Sequence, residues 1–199
     1  MASDPVILGF DTSAAHCAAV LLCGDSVLAT RVEEMSRGQA ERLFPLLEEL
    51  LAEAGHTWKD IDRIGVGVGP GNFTGIRISV AAARGLALSL GIPAVGISSL
   101  EVQFSGDPVM ATVPAPRDQV YAQPFGATQQ DPELVPVTEA SEKARALGIP
   151  LAQMPPPAEL AERVARLAAK ARTIEAPAPL YVRAADAAPP RDPAPVILP

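Results

Sequence analysis

Gly69-Pro70-Gly71-Asn72-Phe73-Thr74-Gly75 is the segment of this sequence richest in groups that could bind or react. An apolar run enters this glycine turn and a helical pattern leaves it, an arrangement that frees backbone N–H groups for an anion. Asn72 suits the helix N-cap, and Thr74 adds a hydroxyl in the first turn. Yet no lysine follows, as a Walker A loop requires, and G-x-G-x-x-G begun at Gly65, Gly67 or Gly69 ends on Pro70, Asn72 or Thr74. A tight strand-to-helix connection chosen for packing meets the same spacing.

Other reactive groups are sparse. His16 and His56 are the only histidines, one placed in a turn and one just past a helix, and both are expected to be exposed and idle. No H-x-x-x-H pair exists, so neither a metal site nor a cofactor is expected. Cys17 and Cys23 fall on one face of one strand, roughly 20 Å apart and beyond disulfide reach. A reduced, cytoplasmic setting fits them. Ser98-Ser99 lacks the surroundings of a nucleophile elbow, and Asp11, Asp60, Asp62 and Glu101 are carboxylates whose pairing spacing alone does not reveal.

The elements that must hold these groups follow from periodicity. Val6–Phe10, Cys17–Cys23 and Ser26–Val32 predict strands, the last two joined by Gly24-Asp25 as a hairpin. Leu43, Leu47, Leu50, Leu51 and Ala54 recur at helical spacing over Gln39–Ala54, with Pro45 expected to kink the helix or loosen its first turn. Ile61–Gly69 predicts a buried strand whose glycines admit a close neighbour, Asn72–Leu90 a second helix, and Ala94–Ile97 another strand. This β-β-β-α-β-α-β order predicts a mixed sheet. In the second helix Gly75, Ser79 and Ala83 form a stripe of small residues with Ala82 and Gly85 beside it, open to its own sheet or to another protein. A boundary near Ser105–Pro108 divides the chain into 1–105 and 106–199. The second part carries strands at Val109–Val113 and Gln119–Phe125, a helix at Ala158–Arg172, and a frayed tail at Ala185–Pro199 rich in proline and alanine.

Composition narrows the function classes. The 199 residues are 48% hydrophobic but only 4% aromatic, so the core is aliphatic, and the length fits one large domain or two small lobes sharing a contact. Sixteen Lys+Arg against 23 Asp+Glu give a net charge of -7, which argues against a broad basic face for nucleic acid. No uninterrupted apolar run long enough to span a bilayer occurs, and no export signal is visible.

Five segments in order, Ile7–Ser13, Glu41–Leu51, Gly65–Ile78, Gly91–Glu101 and Pro179-Leu180-Tyr181-Val182-Arg183, resemble the TsaB (YeaZ) family. The resemblance is dense over Val6–Glu101 and sparse beyond. It implies a two-lobed actin/Hsp70/sugar-kinase-like (ASKHA) α/β fold, from which this chain departs by a shortening between about Ser141 and Pro157 that is expected to cost the second lobe a strand pair. It also implies an accessory role in making threonylcarbamoyladenosine beside the tRNA anticodon. The partners implied are the catalytic paralogue TsaD, the ATPase TsaE, and a second copy of this chain when the paralogue is absent, with tRNA reached only through the complex. The docking face expected on the two N-lobe helices comprises Phe44, Leu47, Leu51, Ile76, Val80 and Ala83.

The paralogue carries an H-x-x-x-H metal pair, and alignment on Pro93 and Glu101 puts Ser99 and Gln103 at those positions. A hydroxyl and an amide are poor substitutes for two imidazoles. Asp11-Thr12-Ser13 lacks the glycine of the wider fold's Asp-x-Gly phosphate loop, and Pro114–Val120 replaces the family's Asp-Ala-Arg stretch before Tyr121. A non-catalytic partner is therefore expected. The alternative is an ATP-dependent phosphotransferase or hydrolase built on Asp11. A weak nucleotide site, if present, is expected in the cleft between the lobes, at Asp11, Thr12, Ser13, Gly69, Gly71, Asn72, Thr74 and Gly75.

Overall fold

Strand β1 (Val6–Asp11) lies at the centre of a five-stranded sheet, order β3-β2-β1-β4-β5, in the computed structural model, which describes residues 4–172 and 175–182. Strands β2 (His16–Cys23) and β3 (Ser26–Glu34) extend it antiparallel on one side, turning at Gly24-Asp25. Strands β4 (Arg63–Gly67) and β5 (Ala94–Ile97) extend it in parallel on the other, each reached through a helix, α1 (Gln39–Glu53) and α2 (Phe73–Leu90). The element order expected from the sequence is the one observed.

Strand alternation sends the sheet's side chains into two helical layers. Leu8, Phe10, Ala19, Leu21, Ile64 and Val66 meet Leu43, Leu47, Leu50, Ile76 and Val80 on the α1/α2 side. Ile7, Ala18, Val20 and Leu22 meet Ala161 and Ala165 on the other side, from helix α4 (Pro157–Lys170). Its place in the sequence puts α4 in the second lobe, but the chain returns and lays it across β1, β2 and β4. The cause is a glycine–alanine fit. A Cβ on Gly9 would stand 2.6 Å from the Ala165 Cβ, and one on Gly65 would stand 2.8 Å from that of Ala168. Only a bare backbone on the sheet lets the alanine stripe of α4 approach this closely.

Helix α1 is assigned without a break through Pro45, whose ring sits on the exposed face. Helix α2 ends at Gly91, left-handed at φ 69°, as the sequence predicts. With 18 residues and a mean hydropathy of 1.2, α2 is long and apolar enough to cross a bilayer by length and composition, and a third of it is buried within this fold. The second sheet is antiparallel, order β6-β7-β8, from Val109–Ala115, Gln119–Phe125 and Glu133–Pro136. Helix α3 (Val137–Leu147) covers it through Ala140 and Ala144. Neither β8 nor α3 is visible in the sequence pattern. The strand is four residues long, and both buried residues of the helix are alanines.

Beyond α4 the chain returns once more. The Leu180 N–H donates to the Val68 carbonyl at 2.8 Å, and Arg77 Nε donates to the Tyr181 hydroxyl at 2.8 Å. Arg183 of the closing motif and the Ala185–Pro199 tail lie outside the described residues.

Candidate functional site

Asp11 ends β1 and is fully buried. Its Oδ1 accepts from the Ser13 N–H at 2.8 Å, from the Ser13 hydroxyl at 2.8 Å, and from His16 Nε2 at 2.9 Å. His16 is thus neither exposed nor idle. It opens β2, where the hairpin turn brings it back beside Asp11, and only 7% of its side chain is exposed. The Asp-x4-His spacing across a strand–turn–strand was the available signal. Asp11 Oδ2 has no partner among the described residues and packs on Gly67, where a Cβ would stand 1.8 Å away.

The glycine turn is sewn onto this loop. The Thr12 hydroxyl donates to the Gly75 carbonyl at 2.7 Å, the Asn72 N–H donates to the Ser13 carbonyl at 2.6 Å, and a Cβ on Gly75 would stand 1.9 Å from the Thr12 oxygen. Asn72 caps α2 as predicted, its Oδ1 accepting from the Gly75 N–H at 2.9 Å. The expected nucleotide pocket is therefore divided. Ser13, Gly71 and Asn72 line a cleft of about 710 Å³ between the two sheets, whereas Asp11, Thr12, Gly69, Thr74 and Gly75 do not. Asp11 has its Oδ1 engaged by Ser13 and His16 and its Oδ2 packed on Gly67, and it does not line the cleft, which counts against the phosphotransferase alternative. The cleft also takes in His16, Gln39, Tyr121, Met154 and Leu160, residues drawn from four separate elements and a loop that only the fold gathers.

Ser99 and Gln103 lie just past β5 and are both buried. Gln103 Nε2 donates to the Ser99 carbonyl at 2.9 Å and to the Thr112 carbonyl at 3.0 Å, while its Oε1 accepts from the Thr112 N–H at 3.0 Å. The amide is thus fully engaged in joining this turn to β6. The Ser99 hydroxyl has no partner among the described residues. No group of three His, Cys, Asp or Glu suited to a metal occurs among those residues.

Five of the six residues expected to form the docking face require correction. Leu47, Leu51, Ile76, Val80 and Ala83 are buried inside the chain's own core, and only Phe44, 43% exposed, reaches the surface. The helical spacing found the apolar stripe, but that stripe faces the sheet. Likewise Ser79 donates its hydroxyl to the Gly67 carbonyl at 3.1 Å, so the small-residue stripe of α2 serves its own sheet. The outward face has other residues. Ala40 and Phe44 of α1 and Ile78, Ala81 and Gly85 of α2, over the buried Leu43 and Ala82, line a shallow apolar groove of about 360 Å³.

Charge is organised away from this groove. Arg42 bonds Glu33 on β3 and both Glu49 oxygens, and it holds both carboxyls below their ordinary range. Burial raises the Glu101 carboxyl and pushes the Cys17 thiol up to about 11.

Residues 29–186 match the family described as TsaD, tRNA N6-adenosine threonylcarbamoyltransferase. The Escherichia coli K12 tRNA threonylcarbamoyladenosine biosynthesis protein TsaB is 33% identical over 122 residues, 58% of this chain and 52% of that protein. This chain thus spans only about half the length of that relative. An uncharacterized Mycobacterium tuberculosis protein is 35% identical over 182 residues, 82% of this chain and 83% of its own. Among solved structures, a Pseudomonas aeruginosa protein described as similar to peptidase YEAZ superposes with a TM-score of 0.71 at 25% identity, over 90% of this chain and all of that one. YeaZ from the same species superposes at 0.61 with 28% identity, over 82% of this chain and 92% of that one.

Proposed function

The chain belongs to the TsaB/YeaZ family, with the α/β fold of the actin/Hsp70/sugar-kinase group, and from that premise we propose that it serves threonylcarbamoyladenosine formation on tRNA as a non-catalytic subunit. It acts by docking on the catalytic paralogue TsaD through the α1/α2 groove, pairs with a second copy through the same groove when the paralogue is absent, and meets TsaE and tRNA only in the assembled complex, in the cytoplasm. Residues 1–105 form the docking lobe. The second lobe is built from the described residues beyond 105, apart from α4 and the Pro177–Tyr181 segment, which pack on the first lobe.

One observation carries the non-catalytic reading. The position aligned with the second metal-binding histidine is a glutamine whose amide makes hydrogen bonds on both ends to backbone. A side chain committed in this way orients no metal and no water. The docking reading is supported by the exposed groove with Phe44 at its edge. Aromatic anchors beside small residues let two helices approach closely.

The test is reconstitution of tRNA modification from the purified paralogue, the ATPase and this chain, with tRNA, ATP and threonylcarbamoyl-adenylate supplied as group donor. Product forms only with all three, and Ile78→Glu in this chain removes both co-purification and product. Modification at full rate without this chain, or threonylcarbamoyl transfer by this chain alone, overturns the proposal.

A further inference from the structure

The two helices beside the apolar groove carry opposite charge. Helix α1 holds four glutamates against one arginine, Arg42, whereas α2 holds two arginines and no acid. On α1, Arg31 and Arg42 draw Glu49 and Glu53 toward β3. Glu41 and Glu48 stay exposed and make no ion pair among the described residues. On α2, Arg77 lies over the Phe73 ring and donates to the neutral Tyr181 hydroxyl. Arg84 is exposed, again with no ion pair among the described residues. Each helix thus presents charge that nothing in its own chain answers.

The spacing of these charges matches. Glu41 and Glu48 stand seven residues apart, as do Arg77 and Arg84. Each pair therefore spans two turns, about 10.5 Å, along one side of its helix. Phe44, Ile78, Ala81 and Gly85 lie in the apolar strip beside them. Strands β3, β4 and β5 all run the same way, because β2 is antiparallel to both β1 and β3. Helices α1 and α2 link these strands in turn, so both run back against them in one shared direction.

A face that is acidic on one helix and basic on the next is complementary to itself. A two-fold axis parallel to the helices lays α1 of a second copy on α2 of the first, and α2 on α1, with all directions matched. A two-fold axis across the helices lays α1 on α1, glutamate against glutamate, which charge opposes.

We propose that a second copy seats on this face in the first of these arrangements, with Arg77 and Arg84 of each copy set against Glu41 and Glu48 of the other. The proposal rests on self-pairing through the α1/α2 groove and adds the charge code that fixes its orientation. Exposed ion pairs contribute little affinity each, so the groove supplies the contact and the charges select the partner and its register.

The test reads mass by sedimentation equilibrium on the full chain in two charge-reversed forms, Glu41→Arg with Glu48→Arg and Arg77→Glu with Arg84→Glu. Each form alone pairs at least about tenfold more weakly than the wild type. An equimolar mixture of the two recovers a mixed pair at least about tenfold tighter than either form alone. Because Arg77 also holds Tyr181, Glu48→Arg mixed with Arg84→Glu repeats the exchange at two exposed positions, with melting temperatures unchanged. Reversed forms that pair as tightly as the wild type overturn the proposal, as does a mixture that pairs no better than its components. Gly85→Arg keeps this outcome apart from failure of the groove itself. If Gly85→Arg abolishes pairing while charge reversal leaves it unaltered, the charge code alone falls. If the wild type stays single, or Gly85→Arg still pairs, self-pairing through the groove falls and the code with it.

Discussion

Gln103 and Thr112 hold each other by both ends of one amide, Nε2 to the Thr112 carbonyl and Oε1 from the Thr112 N–H, each at 3.0 Å. A side chain here completes a pairing that a neighbouring strand would ordinarily provide, and it fastens the end of the first sheet to β6 of the second. The Gln103 amide is thereby a pin between the two sheets.

Gln103→Ala therefore acts on stability and on the relation of the two sheets. Both backbone groups of Thr112 lose their partner in a half-buried position, and the loss is about 2 kcal/mol. Urea denaturation gives the midpoint shift directly. Gln103→Glu keeps the acceptor but sets a buried carboxylate oxygen against the Ser99 and Thr112 carbonyls, so at neutral pH it costs at least as much as alanine. An alanine variant with unchanged midpoint sinks the assignment.

Gly67→Ala is expected to damage the fold more than any surface substitution, because its Cβ would stand 1.8 Å from Asp11 Oδ2. The backbone or the Asp11–Ser13–His16 cluster must move, at a cost of about 3 kcal/mol. Asp11→Ala in the same chain removes the clashing oxygen and recovers part of that cost. The coupling between the two substitutions, about 1 kcal/mol or more, is read from a double-mutant cycle. Simple additivity of the two effects shows that the contact does not exist in solution.

Much of this architecture was legible in the sequence because glycine and periodicity act locally. The β-β-β-α-β-α-β order, the Asn72 cap and the Gly91 stop each depend on residues within a few positions of one another. What escaped depends on return of the chain. His16 reads as a turn histidine until β2 folds back and delivers it to Asp11. The glycines of β4 announce a close neighbour but not that α4, about a hundred residues onward, is that neighbour. The docking face failed for a related reason: an amphipathic stripe marks which side of a helix is apolar, and the leucines at Leu47 and Leu51 belong to the inside. The residues that reach outward in the groove, Ala81 and Gly85, are too small to register as hydrophobic signal.

The Arg42 cluster sets an acid limb. Glu33 and Glu49 are held below the ordinary carboxylate value of 4.5 by hydrogen bonds from Arg42. The folded chain therefore binds these protons less tightly than the unfolded one. Their contribution is complete above about pH 4.5 and is lost as pH falls through the lowered folded values. Arg42→Met narrows the stability difference between neutral and acid pH, and high salt does the same to the wild type, since the pair is solvent-exposed. Denaturation at several pH values checks both. An identical pH profile for variant and wild type removes the cluster from the account.

Gly85→Arg separates docking from folding more cleanly than any change at the buried leucines. Nothing lies within 4 Å of a Cβ built on Gly85, which sits in the middle of α2 and lines the groove. Arginine is the better helix former by about 0.7 kcal/mol, so the isolated chain is expected to be as stable as the wild type or slightly more so. The same side chain fills the space that another helix backbone must enter, and it brings a charge into an apolar contact, which costs affinity at the centre of an interface. Leu47→Glu, in contrast, buries a charge in the core and unfolds the chain, so loss of docking there carries no information. Thermal melting of Gly85→Arg should match the wild type while its mass in light scattering falls to that of one chain and its co-purification with the paralogue disappears. A variant that melts normally and still pairs and co-purifies places the docking face elsewhere on the molecule.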